Sequence, residues 1–489
     1  MRAAVFRAIV LAIPACILAW QVAEAQAGEE FRSVVSVRVT HQPQDATIPW
    51  QKTNESTVLG NALVLATGQL LTTADLVKSA TLIQVRKLGR YPDFQAELFL
   101  VDYDLDLALL TVADTEFWAG LVPIKFSAAP ITFGRFVINR WRANGRFEQG
   151  TGEVVDLRTS SSRFGSMEIP IMRGNTNMTG LGWAEVMTVN GELVGLLTSH
   201  NRAEIQATPS PTLALFIQTA NKLPYRGFAH RGFSWQRLNA PALREFHGLA
   251  LDAPGILVNK VFAGGTGAGI LQEGDILVQL GDYVIDPEGL ISHPLYGSVL
   301  FPIAINDTID PVITARIIRD GKPMELVMRR QRLADEDYRI RPHTFDRQID
   351  YEVFGGLLLQ ELSLGYLKAW GKNWAERAPS RLVIEYALRS IRKADRPIEH
   401  LVIVSKVLPD VTNLGFEGIG NSILTHANGK PVTSLAAFRE AISESVRGYH
   451  VLKVQSGRGQ RKLVFKADEI AGANRRISQL YDVPPPPDP

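Results

Sequence analysis

The stretch Asp104-Leu105-Asp106-Leu107-Ala108-Leu109-Leu110 opens with carboxylates and continues as a short apolar run, which is typical of a buried β-strand. Similar runs recur around it, separated by Gly, Asn and charged residues; they cover residues 34–39, 62–71, 82–86, 97–101, 107–112 and 192–198. Short runs at this spacing predict a β-barrel or β-sandwich rather than alternating strands and helices. We therefore expect a mainly β block over residues 31–223.

Two Gly and Asn pairs lie where this pattern suggests tight turns. They are Gly60-Asn61 and Asn190-Gly191. Asn and Gly tolerate a positive φ, which hairpin turns require. Both pairs are predicted to be hairpin turns.

The rest of the chain divides into two further blocks. A Pro-containing connection precedes a β-rich block at residues 225–330, and a charged stretch at 331–350 without apolar periodicity is predicted to be a linker. The third block, 351–467, combines strand-like runs with helical patterns at 381–391 and 434–442. The final segment, 468–489, is expected to hold a helix to about residue 481 and then an extended Pro-rich tail.

The second and third blocks resemble distant repeats of each other. In the second, Ala268-Gly269-Ile270-Leu271 precedes Gly274-Asp275-Ile276-Leu277; in the third, Gly418-Ile419-Gly420-Asn421 leads into a strand and the turn Asn428-Gly429-Lys430. Each block offers a Gly-led hairpin followed by a further hairpin or helix. This order is similar to that of a PDZ module in bacterial and organellar proteases.

Composition excludes several classes of function. The chain has 489 residues with 52 Lys and Arg against 50 Asp and Glu, a formal net charge of +2, and no long basic run that could neutralise a phosphate backbone. A nucleic-acid partner is therefore not expected. The single cysteine, Cys16, allows no internal disulfide and no thiolate metal site. Neither a metal nor another cofactor is predicted.

The N-terminus has the pattern of a secretory signal. Arg2 and Arg7 precede an apolar stretch at residues 8–20, and Ala23-Glu24-Ala25 offers small residues for cleavage. The interpretation is a signal peptide over residues 1–25, a mature chain from about Gln26, and export to a periplasmic or extracellular compartment. The alternative is a lipoprotein signal ending at Cys16. Beyond the signal no segment reaches the ~18 apolar residues that a membrane span needs.

Three segments of the first block together resemble the HtrA/Deg family, in which a trypsin-like double β-barrel precedes PDZ domains. They are Leu71-Thr72-Thr73-Ala74-Asp75-Leu76-Val77, the 104–110 stretch, and Gly180-Leu181-Gly182-Trp183-Ala184-Glu185 ahead of Gly191-Glu192-Leu193-Val194-Gly195. Further landmarks, such as Phe354-Gly355-Gly356-Leu357, resemble the plant-type Deg branch with two PDZ-like domains. The resemblance covers nearly the whole chain after the signal, and it implies a trypsin-like double β-barrel followed by two PDZ-like α+β domains.

The same resemblance implies that the catalytic triad is degenerate. Asp75 stands at the family's His position, Asp106 keeps the Asp, and Gly182 stands at the nucleophilic Ser. A serine protease needs a nucleophile, a base and a group that orients the base, and only the orienting group is retained. The segment Trp183-Ala184-Glu185 also replaces the small residues of the oxyanion loop. No catalytic residue is therefore expected, and we predict a pseudoprotease.

The rival interpretation is an active serine-type endopeptidase with an unorthodox site. Its candidate nucleophiles are Thr179, Ser160, Ser161, Ser162 and Ser166, and the nearest histidines of the block are His41 and His200. Asp75 and Asp106 could alternatively bind a metal ion.

The resemblance also implies polypeptide partners. Gly232, Phe233, Ser234 and Trp235 occupy the position of the family's carboxylate-binding loop in the second block, and Gly355, Gly356, Leu357 and Leu358 are the analogous residues of the third. The expected ligands are polypeptide C-termini or unfolded proteins, added as a strand to a sheet edge. A homo-oligomer, most simply a trimer involving Phe31 and Trp50, and co-assembly with an active homologue are further expectations. The role would then be that of a scaffold, a chaperone-like binder or a regulator.

Overall fold

The computed structural model describes residues 30–161, 163–222, 224–250, 252–393, 399–457 and 459–484. The predicted signal peptide, the Cys16 alternative, Ser162 and most of the Pro-rich tail lie outside these residues. In the described part of the chain no helix is both long and apolar enough to cross a membrane.

The chain starts with a closed β-barrel, here barrel 1, whose strand order is β1-β4-β5-β8-β7-β6. Its core consists of inward-facing aliphatic side chains, because alternate residues of a strand point to the same face; Val35, Val37 and Val39 of the first strand are completely buried. Its strands and helices are α1 Glu30–Ser33, β1 Val34–His41, β2 Gln44–Asp45, β3 Ile48–Lys52, β4 Ser56–Val64, β5 Leu70–Thr72, α2 Ala74–Val77, β6 Ala80–Arg86, β7 Phe94–Asp102, β8 Leu107–Thr111 and α3 Thr115–Trp118.

A second closed barrel, barrel 2, follows with the order β10-β11-β14-β13-β12-β9. Its elements are β9 Arg135–Trp141, β10 Phe147–Ser161, β11 Glu168–Thr176, β12 Val186–Val189, β13 Glu192–Asn201, β14 Glu204–Pro209 and α4 Ser210–Ala220. One apolar cluster contains residues of both barrels, including Leu107 and Leu196. The two barrels therefore share part of their core.

One of the two turn predictions is confirmed and the other is wrong. Asn190 and Gly191 join β12 to β13 with φ values of 51° and 80°. Gly60 and Asn61 instead lie inside β4. A Cβ at Gly60 would stand 2.7 Å from Leu76 and 3.0 Å from the Trp183 carbonyl, so this glycine permits a close approach of two segments rather than a turn.

The second block forms an antiparallel sheet in the order β15-β16-β17-β21-β22, with β15 at one edge. Its core groups Phe233 and Phe301 with aliphatic residues of the sheet. Its elements are β15 Phe233–Arg237, α5 Pro241–Phe246, β16 Ile256–Val261, β17 Ile276–Leu280, β18 Tyr283–Val284, β19 Leu290–His293, β20 Gly297–Leu300, β21 Val312–Arg319 and β22 Lys322–Arg329, with 3₁₀ turns at Phe301–Asn306 and Asp335–Asp337.

The third block forms a sheet in the order β23-β24-β25-β26-β28-β29. The predicted helices near 381–391, 434–442 and 468–481 are confirmed as the eighth, ninth and tenth helices. The elements are β23 Tyr351–Phe354, β24 Leu357–Glu361, α6 Leu364–Lys368, α7 Trp374–Arg377, α8 Ser380–Arg389, β25 Val402–Val407, β26 Ser422–Ala427, β27 Lys430–Pro431, α9 Leu435–Ala441, β28 Tyr449–Ser456, β29 Gly459–Lys466 and α10 Ala467–Tyr481, with 3₁₀ turns at Val411–Asn413 and Glu417–Ile419.

The fold is mainly β, with two barrels followed by two α+β modules, as the sequence predicted. The two aromatic residues expected at an oligomer contact are packed within the chain. Phe31 contacts Phe147 at a centroid distance of 6.4 Å, and Trp50 contacts Tyr351 of the third block at 5.5 Å. These contacts give both rings a role inside the chain, so they carry no argument for a trimer.

Candidate functional site

Asp75 lies in the first turn of α2, and its carboxylate is buried by N–H donors and cations. It forms an ion pair and hydrogen bond with Lys78, an ion pair with Arg163 at 3.0 Å, and accepts a hydrogen bond from Trp183 Nε1 at 2.7 Å. Burial by itself would raise the pKa of Asp75, but the charges of Lys78 and Arg163 and the two hydrogen bonds outweigh it and hold the pKa below its ordinary value. The group is an ionised acceptor that is already saturated with donors.

Asp106 lies directly beside Asp75, in the turn between β7 and β8. Its Oδ1 accepts a hydrogen bond from the backbone N–H of Asp75 at 2.7 Å. Its Oδ2 is buried and has no partner among the described residues. Burial, and next the negative charge of Asp75, raise the pKa of Asp106 to about 7. The two neighbouring carboxyl groups therefore differ, with Asp75 ionised and Asp106 able to hold a proton near neutral pH.

Asp106 reaches this position through an unusual backbone conformation. Its φ is +57°, which non-glycine residues seldom adopt outside turns, although Asp tolerates it better than most. The sequence stretch around residue 106 could not reveal this. The conformation directs the carboxyl group at the start of α2 and away from the solvent.

The loop that contains Gly182 is fixed by a buried ion pair. Glu185 Oε1 accepts the backbone N–H of Gly182 at 2.7 Å and pairs with Arg140 Nη1 at 2.9 Å. Arg140 also donates to the carbonyl oxygens of Thr179 at 2.9 Å and Gly180 at 2.7 Å. An oxyanion hole needs free N–H donors 2.7–3.1 Å from the developing charge. The N–H of Gly182 is already bonded to a carboxylate, so it cannot serve that purpose.

Trp183 links the two barrels at this place. Its indole N–H donates to Asp75, and its carbonyl oxygen accepts the backbone N–H of Asn61 at 3.0 Å. The side-chain amide oxygen of Asn61 in turn accepts the N–H of Trp141 from β9 at 2.8 Å. The segment that would surround a scissile bond in an active enzyme thus serves as an inter-barrel connection.

The alternative nucleophiles have no base. Thr179 is exposed, and Ser160 and Ser161 are at the end of β10. Ser166 Oγ lies 3.4 Å from His230 Nε2, but the Nδ1 of this ring accepts the N–H of Gly232 at 3.0 Å. Burial, followed by the charge of Arg231, lowers the pKa of His230 to about 3, so the ring is neutral and its proton is on Nε2. It therefore donates to Ser166 and cannot take its proton.

Neither of the two histidines of the first block, His41 and His200, supplies a base to these residues. His41 lies in β1 with Nδ1 2.7 Å from the Lys78 carbonyl oxygen, to which it donates. His200 is exposed in β13. Among the described residues, neither histidine forms a hydrogen bond with Asp75 or Asp106.

The carboxylate pair does not fit a metal ion. Asp75 accepts from three N–H or ammonium groups, and cations occupy the space that a metal would need. Within the described part of the chain no group of three or more His, Cys, Asp and Glu residues is placed to bind a metal.

The predicted carboxylate-binding loop of the second block is only partly available. Phe233, Ser234 and Trp235 belong to β15, which pairs with β16 on one side and forms the sheet edge on the other. Gly232 precedes the strand, and its N–H is occupied by His230. A Cβ on Gly232 would lie 2.8 Å from the backbone of both Gly264 and Gly265. The expectation that this N–H receives a ligand carboxylate is corrected, whereas β15 has no strand partner on its outer side among the described residues, although its Phe233 carbonyl oxygen accepts Arg231 Nε at 2.6 Å.

The analogous loop of the third block is closed, which corrects the second part of that expectation. Gly355 and Gly356 form the two-residue turn of the β23–β24 hairpin, with φ values of 55° and 87°. Leu357 and Leu358 lie in β24, between β23 and β25, and are fully buried. Gly355 donates its N–H to Asn474 of α10 and its carbonyl accepts from Asn413. No edge or backbone donor is left for a ligand at these four residues.

The chain's own β23 is held in place by one arginine of α9. Arg439 pairs with Asp350 at 2.8 Å and Glu352 at 2.9 Å, and donates to the Tyr351 carbonyl oxygen at 2.9 Å. β23, which covers one edge of β24, is therefore attached to α9.

The predicted linker is an ordered element that covers barrel 1 next to Asp75. Asp346 accepts the N–H of Ser79 at 2.8 Å and the hydroxyl of Tyr103. Phe345 packs against Tyr103 and Phe164 at centroid distances of 5.1 and 5.2 Å. Its charged sequence concealed this role, because apolar residues such as Ile340 and Phe345 stand singly between polar or charged neighbours. The sequence did not reveal Lys78, Arg163, Arg140 or this linker as parts of the site, nor the contact of Trp183 with Asp75.

Comparisons with known proteins agree with this architecture. A family model described as "PDZ domain" matches residues 340–487, which include the end of the predicted linker and most of the C-terminal segment. Protease Do-like 2, chloroplastic, of Arabidopsis thaliana is 25% identical over 421 residues, covering 83% of this chain and 67% of that protein. Putative protease Do-like 3, mitochondrial, from the same plant is 22% identical over 437 residues, covering 85% of this chain and 72% of that protein.

A solved structure titled "HtrA-type protease AlgW with decapeptide" is similar with a TM-score of 0.46 and 17% identity, covering 62% of this chain and 96% of that chain. Fold and site together define a trypsin-like double β-barrel joined to PDZ modules. The chain is similar over more than four fifths of its length to Do-like (Deg/HtrA) proteases, and residues 340–487 match a PDZ domain.

Proposed function

We propose that this protein is a catalytically inactive member of the HtrA/Deg family that binds extended polypeptides, with a scaffold, chaperone-like or regulatory role. The observation that carries the proposal is the position of Asp75, which stands where a catalytic base belongs and is saturated by Lys78, Arg163 and Trp183. A general base must be free to accept a proton and must have a pKa near the working pH. Asp75 meets neither condition.

The nucleophile and its oxyanion donors are missing in the same geometry. Gly182 has no side chain to attack a carbonyl carbon, and its N–H is bonded to Glu185. The loop cannot simply turn over to free this N–H, because Arg140 holds two of its carbonyl oxygens. Proton acceptor, nucleophile and oxyanion donor are thus all absent from the residues that should provide them, which supports a binding protein rather than an enzyme.

Polypeptide binding is assigned to the free edge of β15. A sheet edge exposes unpaired backbone groups that can pair with an added strand. Within the described residues β15 pairs only with β16, whereas β24 of the third block is covered on both sides. The ligand is a segment in extended conformation, and because the Gly232 N–H is occupied, its terminal carboxylate contributes little.

The catalytic part of the proposal is tested with a fluorophosphonate probe, which labels only an activated hydroxyl, and with casein as an unfolded substrate. The expected result is neither labelling nor cleavage. Ser166→Ala is the informative variant, because Ser166 contacts a histidine. Labelling that disappears in Ser166→Ala or in Thr179→Ala would establish the rival function, a serine-type endopeptidase with an unorthodox site.

The binding part is tested by titrating a library of peptides in two forms, with a free C-terminus and with an amidated one. Strand addition predicts that the two forms bind within about twofold of each other, and that methylation of alternate ligand amides abolishes binding. Gly232→Trp is not a suitable blocking variant, since the side chain would displace the backbone of Gly264 and Gly265. A strict requirement for the free carboxylate, or indifference to amide methylation, would contradict the assignment to β15.

Export to a periplasmic or extracellular compartment and a trimeric assembly remain predictions. The first rests on the pattern of residues 1–25. N-terminal sequencing of the mature protein tests it, and a start at a lipid-modified Cys16 would contradict it. Light scattering tests the assembly, and pull-down from the source organism tests co-assembly with an active homologue.

A further inference from the structure

A large cavity lies between barrel 1 and the third block, next to the Lys78 and Arg163 side chains that pair with Asp75. Its volume is about 1180 Å³. The walls come from the β2–β3 hairpin, residues 78–81, the Arg163 and Phe164 loop, linker residues 342–349 and the end of α6. This volume exceeds the roughly 300–1,000 Å³ of small-molecule sites, so a segment of polypeptide fits it better than a compact metabolite does.

Three cations surround one aromatic ring in the wall of this cavity. Lys78 Nζ, Arg163 Cζ and Lys368 Nζ lie 5.4, 5.7 and 5.9 Å from the centroid of Phe164. They come from three separate parts of the chain: α2 of barrel 1, the β10–β11 loop of barrel 2 and α6 of the third block. The tertiary fold alone brings these positive charges together.

The cavity lining carries more positive than negative charge, with Lys52, Lys78, Arg163, Arg347 and Lys368 against Asp45 and Asp346. Asp75 is the carboxylate that pairs with both Lys78 and Arg163, and its side chain is almost completely buried behind them. The ammonium group of Lys368 has no ion pair or hydrogen bond with the described residues. Partial burial lowers the pKa of Lys368, and the charges of Arg163 and Lys78 lower it further. An anion in the cavity would relieve this repulsion.

The cavity also offers an apolar wall next to the cations. Phe345 of the linker packs on Phe164, and Lys78 Nζ lies 5.7 Å from the Phe345 centroid. His343 stacks on Phe345 at 5.5 Å, and its pKa is lowered to about 4 chiefly by burial, so it is neutral at physiological pH. Cationic heads above aromatic faces suit a ligand that carries both carboxylates and apolar groups.

We propose that this cavity is a second polypeptide-binding site, separate from the β15 edge, and that it takes an acidic segment whose carboxylate binds Lys368 and Arg163 while neighbouring side chains pack on Phe164 and Phe345. The cations that pair with Asp75 would then contribute to recognition of the acidic ligand. A ligand bound here contacts both barrel 1 and the linker, and therefore ties the third block to the barrels.

The test uses the full chain and fluorescein-labelled peptides of one length, rich in Asp and Glu with interspersed Phe and Leu, against analogues with Asn and Gln at every acidic position. Binding is measured by fluorescence anisotropy at low and high salt. Lys368→Gln removes the charge, Lys368→Arg keeps it, and Lys372→Gln removes an exposed charge just beyond α6 that does not line the cavity. Thermal unfolding checks that the variants remain folded.

We expect the acidic peptide to bind, the amide analogue not to bind, and Lys368→Gln to weaken binding about tenfold, as loss of one charge-assisted hydrogen bond does. Lys368→Arg and Lys372→Gln should stay within about twofold of the wild type, and salt should weaken binding. Equal binding of both peptides, or no effect of Lys368→Gln, would overturn the proposal. Competition by millimolar inorganic sulfate as effective as that by the acidic peptide would also overturn it, in favour of a small-anion site.

Discussion

The guanidinium group of Arg140 and the carboxylate of Glu185 form a buried ion pair, with 2.9 Å between Nη1 and Oε1 and less than 4% of either residue exposed. The pair fixes the loop that would carry the nucleophile and the oxyanion hole in an active relative. Glu185 accepts the hydrogen bond of the Gly182 N–H, and Arg140 donates to carbonyl oxygens of the loop that would otherwise lack a hydrogen-bond partner. In this chain the two residues give the loop a structural role.

Removing one member of this pair should destabilise barrel 2 strongly. Arg140→Met leaves the Glu185 carboxylate buried without its countercharge, which costs about 3–5 kcal/mol in comparable pairs. The measurement is the urea-induced unfolding transition of the barrels. Arg142→Met is the matched control, because Arg140 and Arg142 both pair with Glu148 but the Arg142 side chain is 41% exposed, and it should cost less than about 1 kcal/mol. Equal effects of the two substitutions would contradict the structural role of Arg140.

Restoring the triad residues should not restore activity. Gly182→Ser is sterically possible, because a Cβ there would lie 3.4 Å from the Leu59 carbonyl oxygen, an ordinary contact. The variant should fold yet show no casein cleavage above the buffer blank. Asp75→His combined with Gly182→Ser should also stay poor, since Glu185 still occupies the Gly182 N–H. Triad residues act as a unit worth about a millionfold in rate, so a substantial gain from Gly182→Ser alone would refute the account of this loop.

Asp106 should make stability fall as the pH rises from about 4 to about 7. Its folded pKa of about 7 lies above the ordinary 3.8, so in this interval the folded carboxyl keeps its proton while the unfolded one has lost it. The unfolded state then binds fewer protons, and the free energy of unfolding decreases with pH. Asp106→Asn removes this dependence and retains an acceptor for the Asp75 N–H.

The stability of Asp106→Asn relative to the wild type should therefore increase between about pH 4 and about pH 7, by up to roughly 1.4 kcal/mol per pH unit within this interval. Asp320→Asn is the control, because Asp320 also has a positive φ, 51°, but is exposed. It should show no comparable change. A constant difference between Asp106→Asn and the wild type across this range would argue against a proton on Asp106.

Substitutions at two glycines of the third block distinguish the cost of backbone strain from the cost of a steric clash. Gly356 and Gly429 have nearly the same φ, 87° and 85°, but a Cβ at Gly356 would overlap the Asn413 side chain and the Leu408 carbonyl, whereas nothing lies within 4 Å of one at Gly429. Gly429→Ala should cost about 1–2 kcal/mol from the left-handed conformation alone. Gly356→Ala should cost several kcal/mol more and should increase hydrogen exchange of β23. Similar losses for both would mean that the hairpin is not closed against Asn413.

The sequence by itself determined the strand-rich blocks, because apolar side chains at short, regular spacing specify strands whatever their partners are. It also supplies the prediction that Asp75 and Gly182 stand at triad positions, where neither could provide an imidazole or a hydroxyl in any conformation. The helices near 381–391, 434–442 and 468–481 likewise followed from local periodicity. The turn at Gly60-Asn61 failed because glycine was needed there for a close approach between distant segments.

Only the tertiary structure decided which of these residues interact. Lys78, Arg163 and Lys368 are up to 290 positions apart in the chain and meet at Phe164, and Phe345 of the charged linker completes the same wall. The occupied N–H groups of Gly182 and Gly232 depend on Glu185 and His230 turning back on the loop, which residue type alone does not specify. Local propensity sets the strands, whereas burial, charge pairing and the satisfaction of backbone donors are properties of the assembled fold.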